Sequence, residues 1–276
     1  MRLVHDPDML VRDAPTVLVP TMGALHPGHD ALIETARAWA DDAGGRVVVS
    51  VFVNPAQFNE SQDFDDYPRT LESDAARCEA LGVDDVFAPS VEAVYPPDGS
   101  VETPPVPAVG TRPGLEDTYR PGHFPGVCKV CKRLFELTGC DAACFGEKDW
   151  QQLATVDAMV HALGMGVKII GVETVREPDG VALSSRNVHL DPEARAQARS
   201  LSRALVEAGR HDDPNDAERA GRAVLDDAGV GTEYFAVRDA ATLMGPRASE
   251  PARVLVAARV GVTRLIDNAP WPGFAL

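Results

Sequence analysis

Basic residues are scarce in this chain. Its 276 residues carry 26 lysines and arginines against 42 aspartates and glutamates, a formal net charge of −16. Nucleic-acid binding needs a basic footprint, so no nucleic-acid partner is expected. Long apolar runs are also missing. No stretch reaches the roughly 18 residues of a membrane span, so no membrane partner is expected. His5, Asp6, Pro7 and Asp8 stand where a secretory leader would be apolar, which makes the cytoplasm the expected compartment. Cysteines number five, an odd count without an export signal, and a disulfide framework is not expected. Cys128 and Cys131 are spaced C-x2-C and Cys140 and Cys144 C-x3-C, a grouping that could hold zinc. However, Cys131 falls on the apolar stripe of Val127, Val130 and Leu134, and Cys144 falls in the apolar run Ala142 to Phe145. These thiols therefore read as core residues, and no protein-bound metal is expected.

What is present is a hydrophobic fraction of 45%, enough for a sizeable core in two modest domains. The chain is organised around Pro20-Thr21-Met22-Gly23-Ala24-Leu25-His26-Pro27-Gly28-His29. An apolar run, Thr16 to Val19, precedes it as a strand, and an apolar-periodic segment, about His29 to Ala40, follows as a helix. Strand, glycine-bearing turn and helix make a nucleotide phosphate site. Gly23 and Gly28 allow close backbone approach to an anion. The helix start adds free N–H groups and partial positive charge. His26 and His29, three residues apart, can donate to phosphate oxygens as charge develops.

Strands and helices alternate onward, which predicts a doubly wound parallel sheet with helices on both faces. Arg46 to Val53, with valines at 47, 48, 49, 51 and 53, reads as a central strand. Asn54 and Gln57 follow its carboxyl end, where side chains either meet a ligand or cap their own loop. The acidic run 63–66 reads as solvated. Thr70 is the expected N-cap of the next helix, and Val83 to Ala88 the next strand. The proline-rich stretch Pro89 to Pro107 reads as an irregular excursion that could cover the site. A helix from about Gly126 to Leu137 carries Lys129, Lys132 and Arg133 on its polar face. After the strand ending at Phe145 come Gly146, Glu147, Lys148, Asp149 and Gln152. Lys148 offers a cation for phosphate, Asp149 an acceptor for ribose hydroxyls, and Gln152 an amide for a small polar substrate; alternatively they are surface groups. Another buried strand, Val167 to Val172, leads to Leu183-Ser184-Ser185-Arg186, two hydroxyls and a guanidinium fork suited to phosphate. Beyond it lie helices from Asp191-Pro192 to about Ala208 and from Asn215 to Ala228. Strands at Thr232 to Arg238, Arg253 to Val260 and Thr263 to Ile266 complete a smaller α+β unit. The expected division is residues 1–174 and 175–276.

His-x-Gly-His after a first strand resembles the signature of the HIGH-type nucleotidylyltransferases. The ten-residue form resembles the pantoate–β-alanine ligase (pantothenate synthetase) family. So do Val-Asn-Pro-Ala-Gln-Phe at 53–58, Tyr-Pro-Arg-Thr at 67–70, Arg-Pro-Gly-His-Phe at 120–124, Phe-Gly-Glu-Lys-Asp-Trp-Gln-Gln at 145–152 and Ser-Ser-Arg-Asn at 184–187. The resemblance spans about Thr16 to Asn268. It departs at Lys129, where threonine is usual, at Cys131 for valine, and at Leu183 for methionine. Met1 to Pro15 is too short for the family's usual strand, helix and turn, so an altered edge of the main sheet is expected.

The resemblance implies a Rossmann-like fold and an enzyme. The implied reaction is ATP-dependent condensation of pantoate with β-alanine to pantothenate, AMP and pyrophosphate, through pantoyl adenylate. It further implies catalytic roles for His26, His29, Lys148, Ser184, Ser185 and Arg186. ATP would meet these together with Met22, Gly28, Gly146, Glu147, Asp149, Val175 and Leu183. Pantoate would meet Pro20, Met22, Asn54, Gln57 and Gln152. Magnesium would arrive on the ATP phosphates, and the protein would be a homodimer. A nucleotidylyltransferase acting on a phosphorylated acceptor would share the histidines but need further cations, whereas Gln57 and Gln152 suit an uncharged diol. A tRNA synthetase relative would need a basic surface that the charge denies. A non-catalytic nucleotide-binding protein would differ only in lacking turnover.

Overall fold

A computed structural model describes residues 1–58, 64 and 67–276; apart from Phe64, the acidic run at 63–66 lies outside the described residues. Six parallel strands form the main sheet: β1 (Arg2–Val4), β2 (Thr16–Thr21), β3 (Arg46–Val51), β4 (Asp85–Phe87), β5 (Ala142–Gly146) and β6 (Lys168–Val172), in the order β1-β4-β3-β2-β5-β6. The pleat of β2 explains the layering. Val17 and Val19 face α1 (Pro27–Ala43) and α2 (Leu71–Ala80), in a core with Ile33, Ala36 and Cys78. Leu18 faces the other way, into a core with Val127, Leu134, Val156 and Met159. Short helices α3 (Val91–Val94) and α4 (Glu116–Tyr119) precede α5 (His123–Thr138) and α6 (Trp150–Leu163), which supply that second core. The chain winds outward from β2 through β3, then crosses to β5. The carboxyl ends of β2 and β5 therefore flank the crevice where such sheets bind ligands.

The smaller unit is α+β. Helices α7 (Pro192–Ala208) and α8 (Pro214–Asp227) pack on an antiparallel meander of β7 (Gly231–Asp239), β8 (Ala252–Val260) and β9 (Thr263–Trp271). The opposite face of the meander, with Tyr234, Leu255 and Ala257, packs on Leu115 and on Trp150 and Ala154 of α6.

Several local expectations need correction. Thr70 precedes α2, but its hydroxyl makes no cap; it donates to Asp74 Oδ2 at 3.1 Å. Residues 89–107 do not cover the site; they lie against α5, and Arg133 Nε donates to the Val94 carbonyl. Strand β9 runs on past Ile266 because its polar pair is satisfied: Asp267 accepts from Arg176 at 2.7 and 2.9 Å, and Asn268 accepts from Arg253 at 2.8 Å. At the sheet edge a strand does form. Arg2 pairs with buried Asp85, and a single 3-10 turn, Pro7–Met9, stands where a helix is usual. All five cysteines are buried free thiols, divided between the two faces: Cys128, Cys131 and Cys140 on one, Cys78 and Cys144 on the other. No helix among the described residues is long and apolar enough to cross a membrane.

Candidate active site

The crevice holds a cavity of about 260 Å³. At its floor, the turn from β2 into α1 is shaped by its own histidines. His26 is the N-cap, and its Nδ1 accepts the Gly28 N–H at 3.1 Å. His29 reaches back, its Nδ1 accepting the His26 N–H at 3.2 Å, a capping box built from imidazoles. A Cβ at Gly28 would stand 2.9 Å from the His26 ring, so only glycine lets the ring fold back. The turn is also held from outside. Asp74, 2% exposed, accepts the N–H groups of Ala24 at 3.0 Å and Leu25 at 2.8 Å, which fixes Ala24 at a φ of 53°. An Asp30–Arg77 ion pair ties α1 to α2 beside it.

These bonds decide the chemistry of the imidazoles. Burial, with His26 as a neighbouring cation, lowers the His29 pKa to about 3; burial and then Lys148 lower that of His26. Both are neutral at pH 7, and both use Nδ1 as an acceptor. The ring proton therefore sits on Nε2 in each, giving two N–H donors on rings 4.1 Å apart. His123 has the opposite polarity. Burial and Arg120 lower it to about 4, and its Nδ1 lies 3.3 Å from the Gln57 carbonyl, which can only accept. Its Nδ1 thus carries the proton and its Nε2 a lone pair.

These shifts predict acid sensitivity. Unfolded histidines bind protons below about 6.5, whereas His29 and His123 resist until about 3 and 4. The unfolded state then binds more protons, and stability falls as pH drops through that window, by up to about 1.4 kcal/mol per pH unit for each group. Urea midpoints between pH 6.5 and 4.5 should fall accordingly, and less steeply in His29→Asn. Equal slopes in the two proteins would show that His29 does not stay neutral.

Across the cavity, the 3-10 turn Glu147–Asp149 follows β5. Lys148 Nζ lies 3.8 Å from Asp149 Oδ2. Burial works against ionisation of Asp149, but Lys148, Arg186 and Arg120 hold its pKa below the usual carboxylate range. The turn is supported by the smaller unit, since Asn268 Nδ2 donates to the carbonyls of Glu147 at 2.8 Å and Lys148 at 2.9 Å. Glu147 itself does not line the cavity; its carboxylate pairs with Arg253 at 3.1 Å, whose guanidinium stacks 3.8 Å from the centroid of Trp150. Val175, Leu183, Ser184, Ser185 and Arg186 close the next side. Arg176–Asp267 and Arg195 with Glu177 and Asp179 brace that loop.

The cavity lining also holds amides. Pro20, Met22, Asn54, Gln57 and Gln152 all belong to it. Gln151, by contrast, is buried and structural, accepting the Glu116 N–H and donating to the Val109 carbonyl. Asn54 is saturated: Oδ1 accepts from Ala56 N–H and Tyr95 Oη, and Nδ2 donates to Gln57 Oε1 and the Gly126 carbonyl. It therefore does cap its own loop, and it lines the cavity with its polar atoms already engaged. Helix α5 approaches this turn so closely that a Cβ at Gly126 would stand 2.2 Å from the Ala56 carbonyl oxygen.

Among the lining residues without a sequence-derived role are Tyr67, Arg120, His123 and Thr174. Tyr67, Arg120 and His123 lay within motifs that signalled them, Tyr-Pro-Arg-Thr and Arg-Pro-Gly-His-Phe; Thr174 had no signal. Lys132, paired with Glu136, and Lys129 do not line the cavity.

A family model described as Pantoate-beta-alanine ligase matches residues 7–270. A pantothenate synthetase of Nocardioides is 49% identical over 92% of this chain and 78% of that protein. One from Paracoccus denitrificans is 47% identical over 91% of this chain and 88% of that protein. The crystal structure of pantothenate synthetase from Thermus thermophilus superposes with a TM-score of 0.89 at 42% identity, covering 99% of this chain and all of that one. The Francisella tularensis pantoate–β-alanine ligase, crystallised with β,γ-ATP and β-alanine, gives 0.78 at 30% identity, covering 98% and 97%. A turn capped by its own paired histidines, facing a lysine across the β2–β5 crevice, is thus the site of a chain that belongs to the pantoate–β-alanine ligase family.

Proposed function

We propose that this chain is an ATP-dependent ligase that condenses pantoate with β-alanine, giving pantothenate, AMP and pyrophosphate. The observation that carries this reading is the juxtaposition, in one cavity, of an anion cradle and an amide wall. The cradle is His26, His29, Lys148, Ser184, Ser185 and Arg186; the wall is Gln57 and Gln152, with Asn54 behind. In the first step a pantoate carboxylate oxygen bonds the α-phosphorus, the bond to the bridging oxygen breaks, and pyrophosphate leaves. The two Nε2–H groups and Lys148 stabilise charge on the phosphate oxygens as it develops. Gly146 and Asp149 receive the ribose. In the second step the β-alanine amine bonds the acyl carbon and AMP departs. The amine's proton passes to solvent, and the His123 Nε2 lone pair, too weak a base to hold that proton, can accept a hydrogen bond from the attacking N–H. No protein nucleophile is needed, because alignment supplies the gain.

ATP brings its own magnesium on phosphate oxygens. Among the described residues, no three carboxylate, imidazole or thiol groups gather to hold an ion. The same reading divides the chain into an ATP- and pantoate-binding unit, residues 1–174, and a smaller covering unit, residues 175–276. Separate apolar cores support it. So does a cleft bordered by Tyr234, Ile266 and Asn268, which shares Lys148, Asp149 and Gln152 with the main cavity. The family resemblance supports a homodimer working in the cytoplasm.

The order of events tests the reading. With ATP and pantoate alone, rapid quench should show a burst of about one pyrophosphate per site, because the adenylate stays in a water-poor crevice. β-Alanine should then convert the burst to steady turnover. Adenylate formation that requires β-alanine would refute the two-step scheme.

A further inference from the structure

We propose that Asp267 and Asn268, neighbours on β9, are positioning residues that hold the two cation-bearing loops of the proposed cradle at a fixed separation. The pleat makes this possible, because successive strand residues point to opposite faces. Leu265 and Ala269 join the core beneath α7 and α8, whereas Ile266 packs toward α6. Asp267 and Asn268 therefore leave one short segment in opposite directions, each only 3% exposed. Their α-carbons are one rigid peptide apart, about 3.8 Å, so the spacing between the two arms does not adjust.

Each arm meets a different loop. Asp267 accepts from Arg176 Nη1 at 2.7 Å and Nη2 at 2.9 Å, and Nη1 also donates to the Gly180 carbonyl at 3.1 Å. Arg176 opens the hairpin that delivers Ser184, Ser185 and Arg186: it bridges to Ala182, and the Leu183 N–H donates to the Val175 carbonyl at 2.9 Å. Asn268 meets the Lys148 turn. Its Nδ2 donates to the Glu147 and Lys148 carbonyls, which can only accept, and its Oδ1 accepts from Arg253 Nε, which can only donate. The amide thus has a single orientation. Nothing local replaces it, since Gly146 has no side chain to cap the turn and Asp149 makes no cap with its own. Among the described residues, no other side chain bonds to the backbone of residues 146–149. The two loops face one site, because Lys148 and Arg186 both line the cavity and both act on Asp149. A slip of either loop therefore misplaces a cation where charge develops, and the loss appears in the rate.

This assignment rests on Lys148 and Arg186 as cradle groups, and the experiment separates the two. Single-turnover pyrophosphate release is measured with saturating ATP and pantoate. Asn268→Asp keeps an acceptor for Arg253 and removes both donors to the Lys148 turn. Asp267→Asn keeps the size and turns an amide NH2 toward the Arg176 guanidinium. Each is made in the wild-type chain, in Lys148→Ala and in Arg186→Ala. Either change should slow release about tenfold in the wild-type chain. Asn268→Asp should add nothing in Lys148→Ala yet keep its effect in Arg186→Ala, and Asp267→Asn should show the reverse pattern. A general loss of fold would instead multiply the rate by the same factor in all three backgrounds. That equality, or an unchanged rate in the wild-type chain, would overturn the assignment. Should Asn268→Asp not fold, Asn268→Ser, which also lacks the amide donors, is read by the same comparison. Failure of the wild-type chain to release pyrophosphate with ATP and pantoate would overturn the functional reading instead, and the positioning role with it.

Discussion

His29→Ala should lower pantoate-dependent pyrophosphate release by about two to three orders of magnitude while ATP affinity changes by no more than a few fold. His29 is neutral, so deleting it removes no ground-state charge from the ATP site. In the proposed mechanism, what disappears is an Nε2–H directed at oxygens whose charge grows in the transition state. Alanine also removes the cap on the His26 N–H, which helix α1 requires. The control is His29→Asn, whose side-chain oxygen can replace Nδ1 as the acceptor but leaves nothing in the place of Nε2. It should recover most of the thermal stability and none of the rate. Pre-steady-state pyrophosphate assays on both variants decide the matter. An asparagine variant with near-normal adenylation would take the donor out of the mechanism.

Arg264→Ala should destabilise the fold by about 3–5 kcal/mol, the usual cost of orphaning a buried charge. Glu116 is 5% exposed, and its carboxylate accepts from Arg264 Nη1 at 2.9 Å and from Tyr234 Oη at 2.9 Å, with Arg120 at 3.9 Å. Burial pushes this carboxyl toward protonation, yet the hydrogen bond and charge of Arg264 win and hold it below its ordinary value of 4.5. The folded pKa is thus the lower one. The stabilisation is complete above pH 4.5 and is lost as pH falls through the folded value. In Arg264→Ala this acid-side loss should vanish, because the remaining carboxylate gains by taking up a proton. Adding Glu116→Gln should recover part of the lost stability. Denaturant midpoints for the two single variants and the double measure it, and additive losses would show that the residues act separately.

The main sheet and the two turns of the proposed phosphate cradle were legible because each is written within about ten residues. Val17 and Val19 alternate with Leu18, and Pro27 and Gly28 stand where a helix start needs them. The second ends of long contacts were not legible. Asp74 holds the histidine turn from 50 residues away, and Asn268 holds the Lys148 turn from 120. Neither has a local signature, since an aspartate in a helix and an asparagine near a strand end are ordinary in themselves. The same blindness shortened β9. Asp267-Asn268 reads as a solvated end until Arg176 and Arg253 are seen to bury it. Strand β1 has three residues, too few for any period to emerge. Asn54 shows the opposite problem: a motif marks it, but only its four bonds reveal that it serves Gln57.

The Glu116–Arg264 pair also sets a schedule for biosynthesis. Translation delivers Glu116 and the loop to Arg120 long before the meander that carries Arg264, 148 residues later. On the ribosome, the parallel sheet can close from β2 to β6 while Glu116 still keeps its hydration shell. Gln151 and then Tyr234 reach the loop first, and the carboxylate gains its charge partner when β9 emerges with Arg264. A nascent chain stopped short of β9 should therefore hold the parallel sheet but lack Asn268 under the Lys148 turn, Asp267 beside Arg176 and Arg264 beside Glu116, and competence should arrive late, in a single step, as the last strand docks.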